Sequence, residues 1–246
     1  MIDLQALEER ALNAWPAPQT HLLAGWALRF AGGYTKRANS ANALHAGAAP
    51  VQAILPEVEA LYARHGLPPL FRLSPLAPEE SDATLATAGY RRLDPTLVLI
   101  RPLSGSIGGL PTDIEIAPQP SAAWLNGFGA ANGVPAARQA LHDRILSGIV
   151  PQAGFLTLTL AAEPIGYGLG VLERGALGIF DIVVAPEHRR RGYGRRVTAA
   201  LLAWGAQHGA TSAYLQVVAA NAPARALYAA QGFGEAYGYH YWIKDS

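Results

Sequence analysis

The most constraining feature of the sequence is an apolar segment that leads directly into a cluster of arginines and glycines. Residues 180–184 have the composition of a strand, Pro186 ends it, and residues 189–195 read Arg-Arg-Arg-Gly-Tyr-Gly-Arg. Apolar residues then recur at helical spacing: Val197, Ala200, Leu201 and Trp204. The pattern predicts a strand, a glycine-containing basic loop and an amphipathic helix, in that order.

A loop of this kind at the start of a helix is a ready-made anion site. Free backbone N–H groups point out of the helix N-terminus, and glycines let the backbone approach a phosphate closely. Between His188 and Arg196, five arginines and one histidine stand among nine residues, and arginine supplies forked donors for phosphate. We therefore predict that the loop binds a diphosphate with a further phosphate nearby, rather than forming a solvated basic face.

The elements around this loop follow from hydrophobic periodicity and turn residues. Apolar runs at residues 155–160, 165–172 and 177–184, separated by short turns, predict three consecutive antiparallel strands. The glycines at 166, 168 and 170 indicate a bulge or a close backbone approach within the second strand. After the basic helix, residues 213–217 predict a strand, Asn221 a helix start, and residues 233–243 one or two closing strands.

The first hundred residues repeat part of this order. Strands are predicted at residues 25–31, 35–44, 70–73 and 97–101, and helices at 51–65 and 79–88. The helix endings at Gly89-Tyr90 and Gly232-Phe233 are similar, which favours a degenerate internal duplication. Residues 102–111 are rich in glycine and serine and predict a linker. Two domains follow, residues 1–103 and 111–246.

Composition narrows the functional class. The 246 residues contain no cysteine, which excludes a thiolate nucleophile and cysteine-ligated metals, and the histidines show no metal spacing, so no metal is expected. The net charge of +1 gives no overall case for nucleic acid or an anionic membrane. No secretory signal or long apolar run is present, which predicts a cytoplasmic protein. The abundance of alanine and arginine is typical of a GC-rich bacterium.

Two motifs in register carry a family resemblance. Residues 184–194 resemble the (Q/R)-x-x-G-x-(G/A) acetyl-CoA signature of the GNAT superfamily of N-acetyltransferases, and residues 221–233 resemble its later N-x-x-A-x-x-L-Y-x-x-x-G-F segment. The resemblance is strong over residues 150–243, weaker over 112–150 and only architectural over 1–101. It implies an α/β (α+β) fold of two GNAT-like halves, each a mixed, mostly antiparallel sheet flanked by helices.

The resemblance also implies which residues bind coenzyme A. The backbone of β-strand residues would pair with the pantetheine arm, and N–H groups of the basic loop would hold the pyrophosphate. Asn221 would touch the pantetheine arm, act as a helix N-cap, or both. The implied cofactor-binding set is Ile182, Val183, Val184, Arg189, Arg190, Arg191, Gly192, Tyr193, Gly194, Arg195, Asn221 and Tyr228. Residues 45–50 stand at the equivalent place in the first half without arginine or Gly-x-Gly, so that half is not expected to bind the cofactor.

Two catalytic roles are expected. The resemblance implies that Tyr228 protonates the leaving thiolate as general acid; the alternative is a buried structural tyrosine. An attacking amine must also lose a proton. Asp181 interrupts an apolar strand beside the cofactor-binding residues and is the first candidate for the base, with Glu173 second; a hydrogen-bonded structural carboxylate is the alternative for Asp181.

The resulting hypothesis is transfer of an acetyl group from acetyl-CoA to an amine of a small molecule or peptide, by direct attack. Three alternatives stay open: the same fold with another acyl-CoA or an oxygen acceptor, a non-catalytic acyl-CoA binding or sensing module, and a nucleic-acid binder that uses the arginines. The identity of the acceptor and the oligomeric state have no signal in the sequence.

Overall fold

The computed structural model describes residues 3–103 and 110–245. The helices and strands are, in chain order, α1 (Leu4–Ala14), β1 (Gln19–Leu23), β2 (Trp26–Phe30), β3 (Ala41–Ala43), α2 (Val51–Arg64), β4 (Leu70–Leu73), α3 (Ser81–Thr87), β5 (Arg91–Pro102), β6 (Ile114–Ala117), α4 (Ala122–Asn132), α5 (Ala136–Ser147), β7 (Gln152–Leu160), β8 (Glu163–Glu173), β9 (Ala176–Val184), α6 (Tyr193–Gln207), β10 (Ser212–Val218), α7 (Ala222–Ala229) and β11 (Gly234–Ile243).

The chain divides into two compact units. Unit 1 comprises Met1–Leu97, Val218–Ala220 and Ala236–Ser246, and unit 2 comprises Val98–Val217 and Asn221–Glu235. Most of β11 therefore belongs to unit 1, although the sequence assigned residues 111–246 to one domain. The linker predicted at residues 102–111 falls largely on residues 104–109, which lie outside the described residues.

In unit 1, strands β1, β2, β3, β4 and β11 are neighbours in that order. β3 and β4 are parallel, whereas the other pairs are antiparallel. Because side chains alternate along a strand, Trp26 and Leu28 face the apolar core, which includes Val58 and Tyr62 of α2. Arg29 of β2 and Arg72 of β4 point to the opposite face, which α1 covers.

That opposite face holds a polar layer formed by the buried residues Glu8, Arg29 and Arg72 and the half-buried Tyr237. The Arg72 guanidinium binds the Glu8 carboxylate through both nitrogens, the second at 2.9 Å, and the Tyr237 hydroxyl donates to the same carboxylate. Arg29 donates to the carbonyls of Leu12, at the end of α1, and of Arg37. Burial alone would raise the pKa of Glu8, but the Arg72 guanidinium holds this pKa below its usual 4.5.

The prediction of a strand at residues 35–44 of unit 1 was partly wrong. Within residues 35–44, Lys36–Ala38 form a 3₁₀ turn and only Ala41–Ala43 is a strand. The Asn39 side chain causes the difference, because its oxygen accepts the N–H groups of Ala31 and Gly33, at 2.8 Å each, while its amide donates to the carbonyl of Thr35. These bonds replace the ladder that an extended segment would form.

In unit 2, strands β10, β9, β8, β7 and β6 are neighbours in that order. The prediction that β7, β8 and β9 are consecutive antiparallel strands is confirmed. Helix α6 packs on one face of this sheet and α4 on the other. A Cβ at Gly168 would lie 2.8 Å from Val197 of α6, so the glycines of β8 provide the close approach that the sequence indicated.

Both units thus combine helices with a sheet that is mostly antiparallel, which confirms the predicted mixed α/β class. Within residues 3–103 and 110–245, every helix is too short or too polar to cross a bilayer.

Candidate acyl-coenzyme A site

The start of α6 in unit 2 exposes a run of backbone donors. Arg190 (φ 61°) and Gly192 (φ 83°) adopt left-handed conformations, and Gly192 is the N-cap of the helix. Backbone N–H groups on either side are bonded: that of Arg189 to the carbonyl of Pro186 and that of Arg196 to the carbonyl of Gly192. In the part of the chain that the structure describes, the backbone N–H groups of residues 190–195 meet no hydrogen-bond acceptor.

The arginines of the loop fall into two groups. Arg189 donates to the carbonyls of Val184, at 2.9 Å, and Ala131, at 3.0 Å, so its side chain fixes the loop to β9 and α4. Arg196 binds the carboxylate of Asp113 at 2.6 and 2.8 Å. Among the described residues, the side chains of Arg190, Arg191 and Arg195 form no ion pair or hydrogen bond, and they supply positive charge around the free N–H groups.

Strands β9 and β10 separate just before this loop. Their parallel pairing runs from Ser212↔Ala176 to Leu215↔Ile179, while β9 continues to Val184. The other edge of β9 remains paired with β8, at Tyr167↔Val183. The register of the β9–β10 pair ends before residues 182–184, which therefore keep one backbone edge that β10 does not pair.

A cavity of about 420 Å³ lies at this point. Ten residues predicted to bind the cofactor line it: Ile182, Val183, Val184, Arg189, Arg190, Gly192, Tyr193, Gly194, Arg195 and Tyr228. Three predicted site residues, Arg191, Asn221 and Asp181, do not line it. Four lining residues escaped the sequence analysis: Asn132, His188, Ala224 and Leu227. Of these, Ala224 and Leu227 are fixed positions of the later motif, so the sequence pattern could have identified them.

Tyr228 lies on the cavity wall at the end of α7. Its ring packs edge-on against Phe233, with 6.0 Å between ring centroids. Burial raises the pKa of the Tyr228 phenol above its usual 10.0, so the group stays protonated at neutral pH. A protonated phenol on the wall of this cavity is available as a proton donor.

The two candidate bases have different surroundings. The Asp181 carboxylate accepts a hydrogen bond from Nε2 of His142, at 2.8 Å, and Asp181 immediately precedes the cavity residue Ile182. Glu173 stands at the turn between β8 and β9, where its carboxylate binds Arg174 at 3.2 Å. Sequence reasoning missed His142 because a single histidine in a helix carries no motif.

Comparison with known proteins places this arrangement in a family. The family model described as "Probable histone acetyltransferase Rv0428c C-terminal" matches residues 2–242. The chain belongs to this family. The GNAT resemblance of the two motifs is thereby confirmed, and it extends over both units.

Three similar proteins support the assignment. "Uncharacterized N-acetyltransferase YobR" of Bacillus subtilis (strain 168) is 30% identical over 249 residues, covering 99% of this chain and 100% of that protein. "Probable histone acetyltransferase Rv0428c" of Mycobacterium tuberculosis (strain ATCC 25618 / H37Rv) is 28% identical over 219 residues, 87% of this chain and 66% of that protein. A GCN5-related N-acetyltransferase from Kribbella flavida has a similar fold, with a TM-score of 0.72, 16% identity and coverage of 100% and 97%.

In this GNAT chain, the segment of unit 1 at residues 45–50 uses its backbone donors internally. The N–H of Ala48 donates to the carbonyl of His45, and that of Ala49 to the carbonyl of Ala24. A Cβ at Gly25 would lie 2.8 Å from the backbone of Ala48, so the segment is packed closely. These contacts occupy the N–H groups of Ala48 and Ala49, and the expectation that the first half does not hold the cofactor stays a prediction.

Asn221 acts as a helix N-cap, which is the second of its two predicted roles. Its side chain accepts the N–H of Ala224 at 3.1 Å, which makes it the N-cap of α7. This bond fixes the start of the helix that carries Leu227 and Tyr228 to the cavity.

Proposed function

We propose that the chain is an acetyl-CoA-dependent N-acetyltransferase whose acceptor is an amine of a small molecule or peptide. The observation that carries the proposal is the run of free N–H groups at residues 190–195, which borders a cavity of about 420 Å³ walled by Tyr228. Basic loops with free donors at a helix N-terminus bind phosphates, and arginine adds charge. The donor set therefore fits the pyrophosphate of coenzyme A.

The residues of the cavity have distinct tasks in this proposal. The N–H groups at residues 190–195 bind the pyrophosphate, and the side chains of Arg190, Arg191 and Arg195 add charge around it. The edge of β9 that β10 does not pair, at Ile182 and Val184, binds the amide groups of the pantetheine arm as an added strand would, while the backbone of Val183 faces β8. The carbonyl of Val184 already accepts from Arg189, which leaves the N–H of Val184 and the backbone of Ile182 for this task.

The chemistry requires one proton donor and one proton acceptor. Bound acetyl-CoA supplies a thioester carbonyl, from which an amine takes the acetyl group by direct attack. Tyr228 donates its phenolic proton to the departing sulfur, and burial keeps that proton in place until the sulfur leaves. Asp181 accepts the proton that the amine loses. Proton transfers of this kind contribute roughly 100- to 10,000-fold to a rate.

The proposal predicts saturable calorimetric binding of both acetyl-CoA and CoA to the purified protein. Thiol release from acetyl-CoA is then measured with a library of amines that includes polyamines, amino sugars and lysine-containing peptides. A histone-tail peptide belongs in the library because the Mycobacterium relative is named a probable histone acetyltransferase. We expect at least one amine to accelerate thiol release above the rate without acceptor.

The outcomes separate the alternatives. Binding of acetyl-CoA without thiol release for any amine would favour an acyl-CoA binding module. Faster thiol release from a longer acyl-CoA than from acetyl-CoA would identify that longer acyl-CoA as the acyl donor. Absence of binding to the wild type would contradict the proposal and return the arginines to the nucleic-acid alternative, for which affinity falls steeply with salt.

For Tyr228→Phe, we expect kcat to fall about 100-fold while the dissociation constant for acetyl-CoA changes less than about threefold. The change removes the acidic proton and keeps the ring that packs against Phe233. Tyr90→Phe in unit 1 is the matched control, because burial also raises the pKa of Tyr90 and its hydroxyl donates to Glu59, and neither residue lines the cavity. Steady-state rates with the fastest amine test this expectation; equal rates for both variants would exclude Tyr228 as the acid.

A further inference from the structure

Strand β9 of unit 2 contains a bulge at Asp181. Tyr167 of β8 pairs with Val183 and Leu169 pairs with Phe180, so Asp181 and Ile182 together stand opposite the single residue Gly168. Asp181 has a left-handed conformation, with φ of 50°. Aspartate tolerates this conformation better than most side chains, and bulges redirect side chains next to functional sites. The bulge therefore sets the direction of the Asp181 carboxylate.

His142 of α5 holds that carboxylate from the protein interior. Its side chain is 0% exposed, and Nε2 lies 2.8 Å from Oδ2 of Asp181. The ring of Phe128 from α4 stacks on the imidazole, with 4.7 Å between centroids and 27° between planes. Because Nε2 faces a carboxylate oxygen, we assign the hydrogen to this nitrogen. The imidazole is thus fixed in both position and direction.

The exposed part of this pair is the carboxylate. The Asp181 side chain is 11% exposed whereas that of His142 is fully buried, so only the carboxylate can meet a substrate. The next residue along β9, Ile182, lines the cavity that Tyr228 also lines. Leu146, one turn after His142 on α5, is an apolar core residue, so a histidine is not needed to fill such a site. The imidazole is instead suited to orienting a carboxylate beside the cavity.

We propose that His142 is a positioning residue for acetyl transfer: by donating from Nε2 to Oδ2, it holds the Asp181 carboxylate at the bulge with Oδ1 directed to the acceptor amine. This inference rests on the proposed function. In the transfer, the N–H bond of the amine breaks and an O–H bond forms at Oδ1. The nitrogen electron pair bonds to the acetyl carbon, the carbon–sulfur bond breaks, and the sulfur takes its proton from Tyr228. His142 remains a hydrogen-bond donor throughout.

Two substitutions at His142 separate positioning from packing. His142→Leu removes the donor and keeps an apolar side chain in the core, whereas the amide nitrogen of His142→Gln reaches about as far as Nε2 and donates to the same oxygen. For the leucine variant we expect kcat to fall roughly 10- to 100-fold with the dissociation constant for acetyl-CoA within about twofold of wild type, because misplaced catalytic groups cost up to about 100-fold. The glutamine variant should recover most of the loss.

The matched control is His208→Leu at the C-cap of α6. Nδ1 of His208 lies 2.8 Å from the carbonyl oxygen of Trp204, and His208 stands at the far end of the helix from the basic loop. The kcat of the His208→Leu variant should equal that of wild type. Thermal unfolding of each variant shows whether the protein is folded at the assay temperature.

A second readout does not require an acceptor. In protein labelled with ¹⁵N at histidine, the buried imidazole N–H of His142 should exchange slowly with solvent. The signal should persist in Asp181→Asn, whose amide oxygen can accept the same bond, and become exchangeable in Asp181→Gly, which suits the left-handed backbone but has no acceptor.

The outcomes distinguish this inference from the proposed function. An active wild type whose His142→Leu variant keeps its kcat, or equal losses for the leucine and glutamine variants in folded protein, would overturn the role of His142 alone. A wild type that binds acetyl-CoA but turns over no amine would contradict the proposed function, and the catalytic purpose of the pair with it. Loss of kcat in the leucine variant with recovery in the glutamine variant would support both.

Discussion

Gly192→Asp should weaken binding of acetyl-CoA roughly 100- to 1,000-fold, which is the largest effect that we expect on ligand binding. The substitution places a carboxylate among the free N–H groups of residues 190–195, where it competes with the pyrophosphate and repels it. It also forces a side chain into a conformation with φ of 83°. Hydrogen bonds to charged groups are worth about 1.5–3 kcal/mol and charges at a helix terminus about 0.3–2 kcal/mol, and about 1.4 kcal/mol is tenfold in affinity.

Gly209→Asp is the matched control for this variant. Gly209 follows the other end of α6, has a φ of 90°, and a Cβ there would meet nothing within 4 Å, which is also true of Gly192. The two variants therefore introduce the same charge and similar backbone strain, and only one of them alters the proposed phosphate site. Calorimetric titration with CoA should show wild-type affinity for Gly209→Asp. Similar losses in both variants would mean that strain in α6, and not the anion site, determines binding.

Arg72→Met should destabilise the fold by about 3–5 kcal/mol, because it leaves the Glu8 carboxylate buried without its cation. The side chains of Arg72 and Glu8 are only 4% and 3% exposed. Lys36→Met is the matched control: Lys36 binds Asp94 in the same unit, with side chains 44% and 39% exposed, and exposed ion pairs are worth about 0–1 kcal/mol. Urea unfolding followed by tryptophan fluorescence measures both losses.

The pH dependence of this loss has a definite sign. The pKa of Glu8 lies below 4.5 in the folded protein, so the pair stabilises the fold above that pH and the stabilisation is lost as pH falls through the folded pKa. The difference between wild type and Arg72→Met should therefore narrow in acid. A double variant with apolar residues at positions 8 and 72 should recover much of the stability, since apolar packing often replaces a buried ion pair without loss. A difference that does not narrow at any acid pH at which both proteins still fold would show that the charge of Glu8 is not responsible.

Sequence reasoning succeeded where local chemistry and periodicity act together. Residues 189–195 combine a strand end, glycines and cations, and the structure places most of that run on one cavity wall. The antiparallel strands β7 to β9 follow from alternation and short turns, which are local signals. The glycines of β8 could be interpreted because a glycine within a strand indicates that another element approaches its backbone closely. In the structure that element is α6.

Contacts between distant parts of the chain were not predictable. His142 and Asp181 are separated by 39 residues and have no motif, so only the tertiary fold, which brings α5 next to the bulge of β9, places them together. The Asn39 side chain replaced a predicted strand through three bonds to nearby backbone, an outcome that depends on the precise path of the loop. Helix α1 carries no motif, and its role depends on Arg72, which lies 64 residues after Glu8.

The position of β11 affects the order in which the protein can fold during synthesis. β11 pairs with β4 from His240↔Leu73 to Ile243↔Leu70, and Tyr237 reaches the buried Glu8. Residues 3–97 emerge from the ribosome before residues 236–243, and their sheet and polar layer remain incomplete until residues 236–243 have been translated. Most domains fold as contiguous units from the N-terminus. The sheet of unit 1 can instead be completed only after unit 2 has been translated. A fragment that ends near residue 103 would lack β11, a strand that this sheet requires.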